Sequence, residues 1–156
     1  MLIHEMTKDE CRIALESVSI GTMACARDGQ PYVVPTYFSY DGNHIYGVSM
    51  LGQKIEWMRA NPLVCLQIWD RKNHYQWLSV VVSGRYEELI SSREFESERV
   101  HAHALLQKRA MWWQPGLVAT EHRAGLMPIY YRMHIVGITG RRAMPDKVEA
   151  AALVTE

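Results

Sequence analysis

Two Asp-Gly pairs constrain the fold of this 156-residue chain more than any other feature. Asp28-Gly29 and Asp41-Gly42 separate three strand-like runs at 20–27, 31–40 and 44–49. Asp-Gly favours the tight hairpin turn that joins neighbouring antiparallel strands. We therefore predict an antiparallel meander, which argues against an all-helical or an alternating parallel architecture.

Three later segments also have strand patterns. Residues 63–69 form an almost unbroken apolar run, which predicts a strand buried on both faces. Residues 77–88 are rich in valine, and residues 129–139 alternate between apolar and polar side chains, so one face of that strand should meet water or a ligand. With the meander, these segments bring the number of predicted strands to six.

Helices are predicted between the strands. Thr7 and Ser91 each precede a glutamate by three residues, the pattern of a capping box, and predict helices over 7–18 and from 91 to about 108. A shorter helix over 52–61 should end at Asn61-Pro62. The fold class is therefore mainly β, a small antiparallel barrel with two or three peripheral helices.

The whole chain, 1–156, is predicted to form one domain. Residues 110–128 contain Gly, Pro and tryptophans without a clear period, and we expect a long functional loop there. The tail from Ala143 onward, including 144–156, is expected to be frayed or arm-like.

Composition excludes several classes of protein. Lys plus Arg and Asp plus Glu both total 17, so the chain lacks the excess positive charge typical of nucleic-acid binders. No signal-peptide pattern and no apolar run long enough to span a membrane are present, so we expect a cytoplasmic protein. The three cysteines are widely spaced, which favours reduced thiols over a disulfide framework.

Neither a metal site nor a protein-borne nucleophile is predicted. His101 and His103 lie two positions apart on a predicted helix and so point to different faces. Ser79 and Ser83 flank a predicted strand without the sequence of a nucleophile elbow. If the chain is an enzyme, a cofactor is expected to carry the chemistry.

The segment containing Ser49, Gly52, Gln53 and Lys54 is a candidate anion site. It closes one predicted strand and opens a helix, where free N–H groups and the helix dipole favour a negative charge. Lys54 would add a full positive charge, and Ser49 and Gln53 could supply neutral donors. The alternative is that Gly52 only turns the chain and Lys54 is a solvated helix charge.

Two further features could contact a flat ligand. Val34, Pro35, Thr36 and Tyr37 form an extended segment with a proline in mid-strand, typical of an edge strand, of a bulge or of a strand beside a ligand. Trp112 and Trp113 could cover a planar ligand, pack a subunit interface or lie in the core. The excess of 5 Trp and 8 Tyr over 2 Phe is typical of ligand pockets and interfaces.

The order of these segments resembles the flavin-binding split-barrel family related to pyridoxamine 5′-phosphate oxidase, especially the branch that includes nitroimidazole-resistance proteins. The likeness is carried by residues 21–68, by SVVVSGRYEEL at 79–89, by the Trp112-Trp113 loop and by ITGRRA at 138–143. It covers about residues 5 to 143.

This resemblance implies a six-stranded split barrel that forms a homodimer with two FMN sites at the subunit interface. Residues 52–54 would hold the FMN phosphate, residues 34–37 would line the isoalloxazine, and Ser49 would lie nearby. Ser79 is included with the cofactor-binding residues, and the Trp112-Trp113 loop would come from the other subunit.

The sequence also departs from these relatives. Gln53 stands where relatives often carry an arginine, so Arg141 or Arg85 could assist the phosphate instead. The tail MPDKVEAAALVTE lacks the arginine and histidine segment that vitamin B6 oxidation needs, and Ser49 and Met50 stand near the position of a histidine in nitroimidazole-resistance proteins. Neither activity is therefore predicted.

The function expected from the resemblance is an FMN-dependent oxidoreductase. It would pass hydride or electrons from NADH or NADPH to a small electrophilic substrate. The alternative is a non-catalytic protein that holds a flavin, a deazaflavin or haem, and His134 is the candidate haem ligand.

Overall fold

The computed structural model describes residues 1–108 and 127–146. The strands are β1 (Leu2–Glu5), β2 (Ile20–Arg27), β3 (Gln30–Tyr37), β4 (Ser39–Tyr40), β5 (His44–Ser49), β6 (Leu63–Arg71), β7 (Trp77–Glu88) and β8 (Ile129–Met144). The helices are α1 (Lys8–Ser17), α2 (Gln53–Ala60) and α3 (Glu96–Gln107), the last preceded by a 3-10 turn at Arg93–Phe95.

All strands belong to one antiparallel sheet that curls into a half-barrel. The sheet order is β3-β2-β6-β7-β8-β5-β4, and β1 pairs with β8 at the side of this path. Strands β3 and β4 lie at opposite ends of the order although only Phe38 separates them in sequence, so the sheet must wrap back toward its starting point. Phe38 is fully buried in the core, with Met23, Leu66 and Met133. The predicted split-barrel fold class is confirmed. Strand β1 was not predicted, and β4 is the end of the predicted strand 31–40.

Local turn and capping chemistry explains the first half of the chain. Asp28 and Gly29 have φ values of 50° and 77°, as the predicted hairpin turn requires. At the second turn, the Asp41 carboxylate accepts hydrogen bonds from the N–H groups of Asn43 and His44 at 2.9 and 2.8 Å. The Thr7 capping box is also present, so both hairpins and α1 are confirmed. The continuous three-strand meander is wrong, because the predicted strand 31–40 is divided at Phe38 into β3 and β4, and these lie at opposite ends of the sheet order.

Pro35 lies on β3, at one end of the sheet order. Its neighbour in the sheet is Thr22 of β2, and no strand among the described residues pairs with the other side of β3. A proline lacks the N–H donor that a central strand would need. The edge position predicted for this segment is confirmed.

Two expectations about the later strands were wrong. Strand β6 is buried on one face only, since Leu63 and Trp69 are 59% and 60% exposed. Ala143 is buried and paired with Ile3 and Trp77, so the chain is not frayed there, and β8 continues to Met144. The partner that orders this end is β1, a strand without a clear sequence pattern.

The third helix does not begin with a capping box at Ser91. The 3-10 turn intervenes, and α3 begins after Phe95 without a side-chain cap. The predicted Trp112 and Trp113 lie outside the described residues, as do 147–156. Within the described ranges, no helix is both long and apolar enough to cross a membrane.

Candidate functional site

The N-terminus of α2 is open. Gly52 is its N-cap residue in an extended conformation, and no side chain within 1–108 or 127–146 caps the helix. The first N–H group with a backbone partner in this turn is that of Glu56, which donates to the Gly52 carbonyl at 3.0 Å. A Cβ built on Gly52 would meet no atom within 4 Å. This end of α2 therefore presents donors and the positive end of the helix dipole to open space.

Lys54 adds a full charge to this position. Its side chain is half-buried, and its Nζ donates a hydrogen bond to Thr36 Oγ1 at 3.3 Å. No carboxylate of the described residues lies within ion-pair distance of it. Burial lowers the pKa of Lys54, with a smaller opposing effect from Cys25. Because an ammonium carries three N–H donors, two remain for an anion.

The hydroxyl of Thr36 connects Lys54 to the barrel core. Thr36 is 5% exposed, and its Oγ1 lies 3.1 Å from the hydroxyl of Tyr131, which is 1% exposed. The Lys54 Nζ lies 5.9 Å from the centroid of the Tyr131 ring. Burial raises the pKa of Tyr131, so its hydroxyl keeps its proton. The cation thus contacts one hydroxyl and one aromatic face, and the part of the chain that the structure describes provides no carboxylate to compensate its charge.

The rest of α2 is anchored firmly to the barrel. Ile55 and Met58 are fully buried. Near its other end, Arg59 donates two hydrogen bonds of 2.7 Å to the carboxylate of Glu88 on β7. A bidentate pair of this kind restricts both side chains. The exposed N-terminus of α2 therefore belongs to a helix whose buried side chains and C-terminal end are held against the barrel.

The other residues predicted to bind the cofactor with Lys54 lie on β3, β5 and α2. Gln53 is exposed beside Lys54, while Val34 is half-buried and Pro35 is exposed on β3. Ser49 is half-buried and donates its hydroxyl hydrogen to the Met50 carbonyl at 3.0 Å. Thr36 lies on β3, Ser49 on β5, and Gln53 and Lys54 on α2, and the hydrogen bond between Thr36 and Lys54 joins the first and last of these elements.

Tyr37 and Ser79 have other partners. The Tyr37 hydroxyl donates to the Leu106 carbonyl at 2.5 Å and so connects β3 to the end of α3. Ser79 accepts a hydrogen bond from Gln67 at 3.1 Å and lies on β7, three strands from β3 in the sheet order. The structure does not bring Ser79 to Lys54 within one chain.

The two arginines suggested as phosphate partners lie on the last two long strands. Arg141 forms an ion pair with Glu5 at 2.9 Å, where β1 meets β8. Arg85 is exposed on β7, opposite Leu63.

His134 is fully engaged within the protein. Its Nδ1 lies 3.2 Å from the Nε2 of His44, and its own Nε2 lies 2.8 Å from the carboxylate of Glu87. Haem ligation needs a free ring nitrogen, so His134 would first have to give up one of these contacts. This arrangement disfavours His134 as a haem ligand.

Sequence reasoning missed the role of Tyr131. The alternation of 129–139 placed it on the apolar face, and its neighbour Met133 is indeed fully buried. The available signal was chemical: a tyrosine on a buried face needs a partner for its hydroxyl. That partner, Thr36, lies 95 residues away in sequence.

Comparison with known proteins identifies the family. A family model described as pyridoxamine 5′-phosphate oxidase matches residues 7–142. An uncharacterized protein of Rhizobium meliloti (strain 1021) is 41% identical over 146 residues, which cover 92% of this chain and 97% of that protein.

Solved structures agree with this match. A FAD-binding protein from Mesorhizobium loti has a TM-score of 0.78 and 42% identity, covering 92% of this chain and 99% of that one. A proposed 5-nitroimidazole antibiotic resistance protein from Bacteroides thetaiotaomicron shares the fold at 20% identity, with a TM-score of 0.60 and coverage of 91% and 89%. The chain therefore belongs to the pyridoxamine 5′-phosphate oxidase family, as its motifs predicted.

Proposed function

We propose that the chain binds a flavin nucleotide whose phosphate lies at the N-terminus of α2, against Lys54. The observation that carries the proposal is a half-buried ammonium with no carboxylate partner among the described residues, beside free helix N–H groups. A desolvated, unpaired charge is costly unless a ligand of opposite charge accompanies it. The 42% identity to a FAD-binding protein supports a flavin as that ligand.

FMN and FAD share the phosphate that this site would contact. The motifs of the sequence favour FMN, whereas the Mesorhizobium loti relative is a FAD-binding protein. The Lys54 ammonium and the helix N–H groups can contact a phosphate of either nucleotide. The flavin retained by the purified protein identifies the nucleotide.

We further propose an oxidoreductase that uses a nicotinamide donor and a small electrophilic acceptor. A bound flavin supplies hydride or electron transfer. The chain would contribute binding and orientation: Lys54 neutralises phosphate charge, Thr36 fixes the lysine, and Val34 and Pro35 border the flat ring with a strand edge. The barrel wall behind them excludes water from that side.

The outer face of the sheet supports a homodimer. Val33, Leu63, Val81 and Val136 are each 38% to 75% exposed. A shallow cavity of about 390 Å³ lies on this face, and its lining is mostly apolar: Ala24, Ala26, Pro31, Leu63, Cys65 and Val136. Contiguous exposed apolar surface is typical of protein interfaces. We propose that a second copy of the chain covers it.

Purification without added flavin, followed by a visible spectrum, tests the proposed function. A flavin spectrum is expected, and chromatography of the acid-released chromophore against FMN and FAD standards identifies the nucleotide. A Soret band would show haem instead, and a deazaflavin spectrum would show that cofactor. A colourless protein that quenches the fluorescence of neither added FMN nor added FAD would overturn the proposal.

Turnover separates an enzyme from a carrier. Anaerobic NADH or NADPH should bleach the flavin absorbance, and an added nitroaromatic or quinone acceptor should restore it over several cycles. Retention of the flavin without reduction by either nucleotide would support the non-catalytic alternative.

A further inference from the structure

The hydroxyl of Tyr131 is the innermost member of a chain of polar groups that ends at Lys54. Tyr131 O–H lies 3.1 Å from Thr36 Oγ1, and Thr36 Oγ1 lies 3.3 Å from Lys54 Nζ. Through these two contacts, Tyr131 can affect the binding of a ligand at Lys54 without touching that ligand. Given the proposed function, we propose that Tyr131 is a positioning residue that sets the affinity of the site for a phosphate group through Thr36 and Lys54.

The donors and acceptors in this chain can be assigned from their chemistry. The Lys54 ammonium has donors only, so Thr36 Oγ1 accepts from it. The second lone pair of Thr36 Oγ1 can accept the hydrogen of Tyr131, and the threonine hydroxyl hydrogen then points to the Tyr37 carbonyl at 3.5 Å. With both lone pairs occupied, Thr36 has one orientation, and the two remaining N–H donors of Lys54 are directed away from it.

The backbone around Tyr131 fixes its position. Tyr131 pairs with Gly47 across the β5–β8 ladder, and a Cβ on Gly47 would lie 2.4 Å from the Tyr131 hydroxyl oxygen. The missing side chain at Gly47 is therefore what lets the hydroxyl reach Thr36. On its other side, the ring packs against Tyr86 with centroids 5.4 Å apart.

Tyr86 provides a matched control. It is a second buried tyrosine in contact with the first, but its hydroxyl donates to Glu88 at 3.0 Å and makes no hydrogen bond to Thr36 or Lys54. Tyr86→Phe and Tyr131→Phe therefore each remove one hydroxyl from the same ring pair. Only the second removes a contact to the chain that leads to Lys54.

The test compares a phosphorylated flavin with riboflavin, which lacks the phosphate. The nucleotide is whichever of FMN or FAD the wild-type protein retains. The dissociation constant of riboflavin divided by that of the nucleotide measures the contribution of the phosphate to binding. Tyr131→Phe should reduce this ratio about threefold to tenfold, as loss of one hydrogen bond predicts, with riboflavin affinity nearly unchanged. Tyr86→Phe should leave the ratio unchanged.

A double-mutant cycle shows whether the effect passes through the lysine. In a Lys54→Met background, Tyr131→Phe should have no further effect on the ratio. Thr36→Val should reproduce the loss, and Thr36→Ser, which keeps the hydroxyl, should restore it. These threonine variants also test the idea if Tyr131→Phe fails to fold.

The outcomes separate the two proposals. A wild-type protein that binds riboflavin as tightly as the nucleotide would overturn the proposed phosphate site, and Tyr131 would lose its role with it. A wild-type protein that discriminates, together with Tyr131→Phe and Thr36→Val variants that discriminate equally well, would overturn the positioning role alone.

Discussion

Gly47 and Tyr131 are direct partners in the β5–β8 ladder, and a methyl group on residue 47 would lie 2.3 Å from a carbon of the Tyr131 ring. The ring therefore lies across the glycine, in space that any other residue would fill. Because Tyr131 is fully buried, the ring cannot move aside without disturbing the core.

Gly47→Ala should destabilise the flavin-free protein by about 1–3 kcal/mol, the usual cost of overpacking a core. Gly52→Ala is the control, since its Cβ has no neighbour within 4 Å and its backbone is extended. We expect that control to reduce the free energy of unfolding by less than about 1 kcal/mol, because glycine is preferred over alanine at an N-cap. Urea unfolding of both variants measures the difference, and equal stabilities would contradict the packing at Gly47.

Lys54→Met should separate binding from stability. Loss of a charge-assisted hydrogen bond should weaken flavin binding by about 1–3 kcal/mol. The flavin-free variant should be at least as stable as the wild type, because a desolvated and unpaired ammonium has been removed. Lys72→Met, at an exposed lysine in the β6–β7 turn, serves as the control.

Fluorescence titration and thermal unfolding measure these two quantities for both lysine variants. Unchanged flavin affinity in Lys54→Met would show that the phosphate does not lie against this lysine.

His44 should make stability depend on pH. Burial, followed by the neighbouring charges of His134 and Arg132, lowers the pKa of His44 below its usual value of 6.5, while Asp41 and Glu87 act in the opposite direction. The unfolded chain then binds more protons than the folded one just below pH 6.5. The free energy of unfolding should therefore fall as the pH decreases from 6.5 toward the folded-state pKa.

His44→Gln keeps a polar partner for His134 but cannot be protonated, so its stability should depend less on pH over this range. Urea unfolding between pH 8 and pH 5 measures the slopes. His74→Gln, at an exposed residue of the β6–β7 turn, is the matched control for the loss of one histidine. Parallel curves for His44→Gln and the wild type would count against this prediction.

Val136→Asp should convert the proposed dimer into a monomer. Val136 is 75% exposed on the outer face of the sheet and lines its apolar cavity, where a carboxylate would be buried without a partner in the dimer. Ile13→Asp places the same charge on α1, away from this face, at a residue that is 66% exposed. Light scattering after size-exclusion chromatography should show half the mass for the first variant only. A monomeric wild type would refute the dimer.

Much of the candidate site could be predicted because its members are close in sequence. Gly52 and Lys54 belong to one turn, and the Asn61-Pro62 pair indicated where α2 stops. The proline at position 35 indicated an edge strand, which the structure confirms. These signals are local because turns, caps and the missing proline donor involve residues only a few positions apart.

Other predictions failed where burial depended on distant residues. The apolar run of β6 indicated two buried faces, yet Trp69 is exposed because nothing in the described chain packs on the outer face of the sheet. Ala143 belonged to an expected frayed tail, but β1 pairs with it from the opposite end of the chain.

The amino-acid sequence by itself determined the hairpin turns, the first helix, most strand boundaries and the lysine at the start of α2. Tertiary structure decided which groups surround that lysine. Thr36 reaches Lys54 across 18 residues and Tyr131 reaches Thr36 across 95. The physical reason is that curling the sheet closes contacts between strands far apart in sequence, and no local pattern specifies which polar atoms then meet inside it.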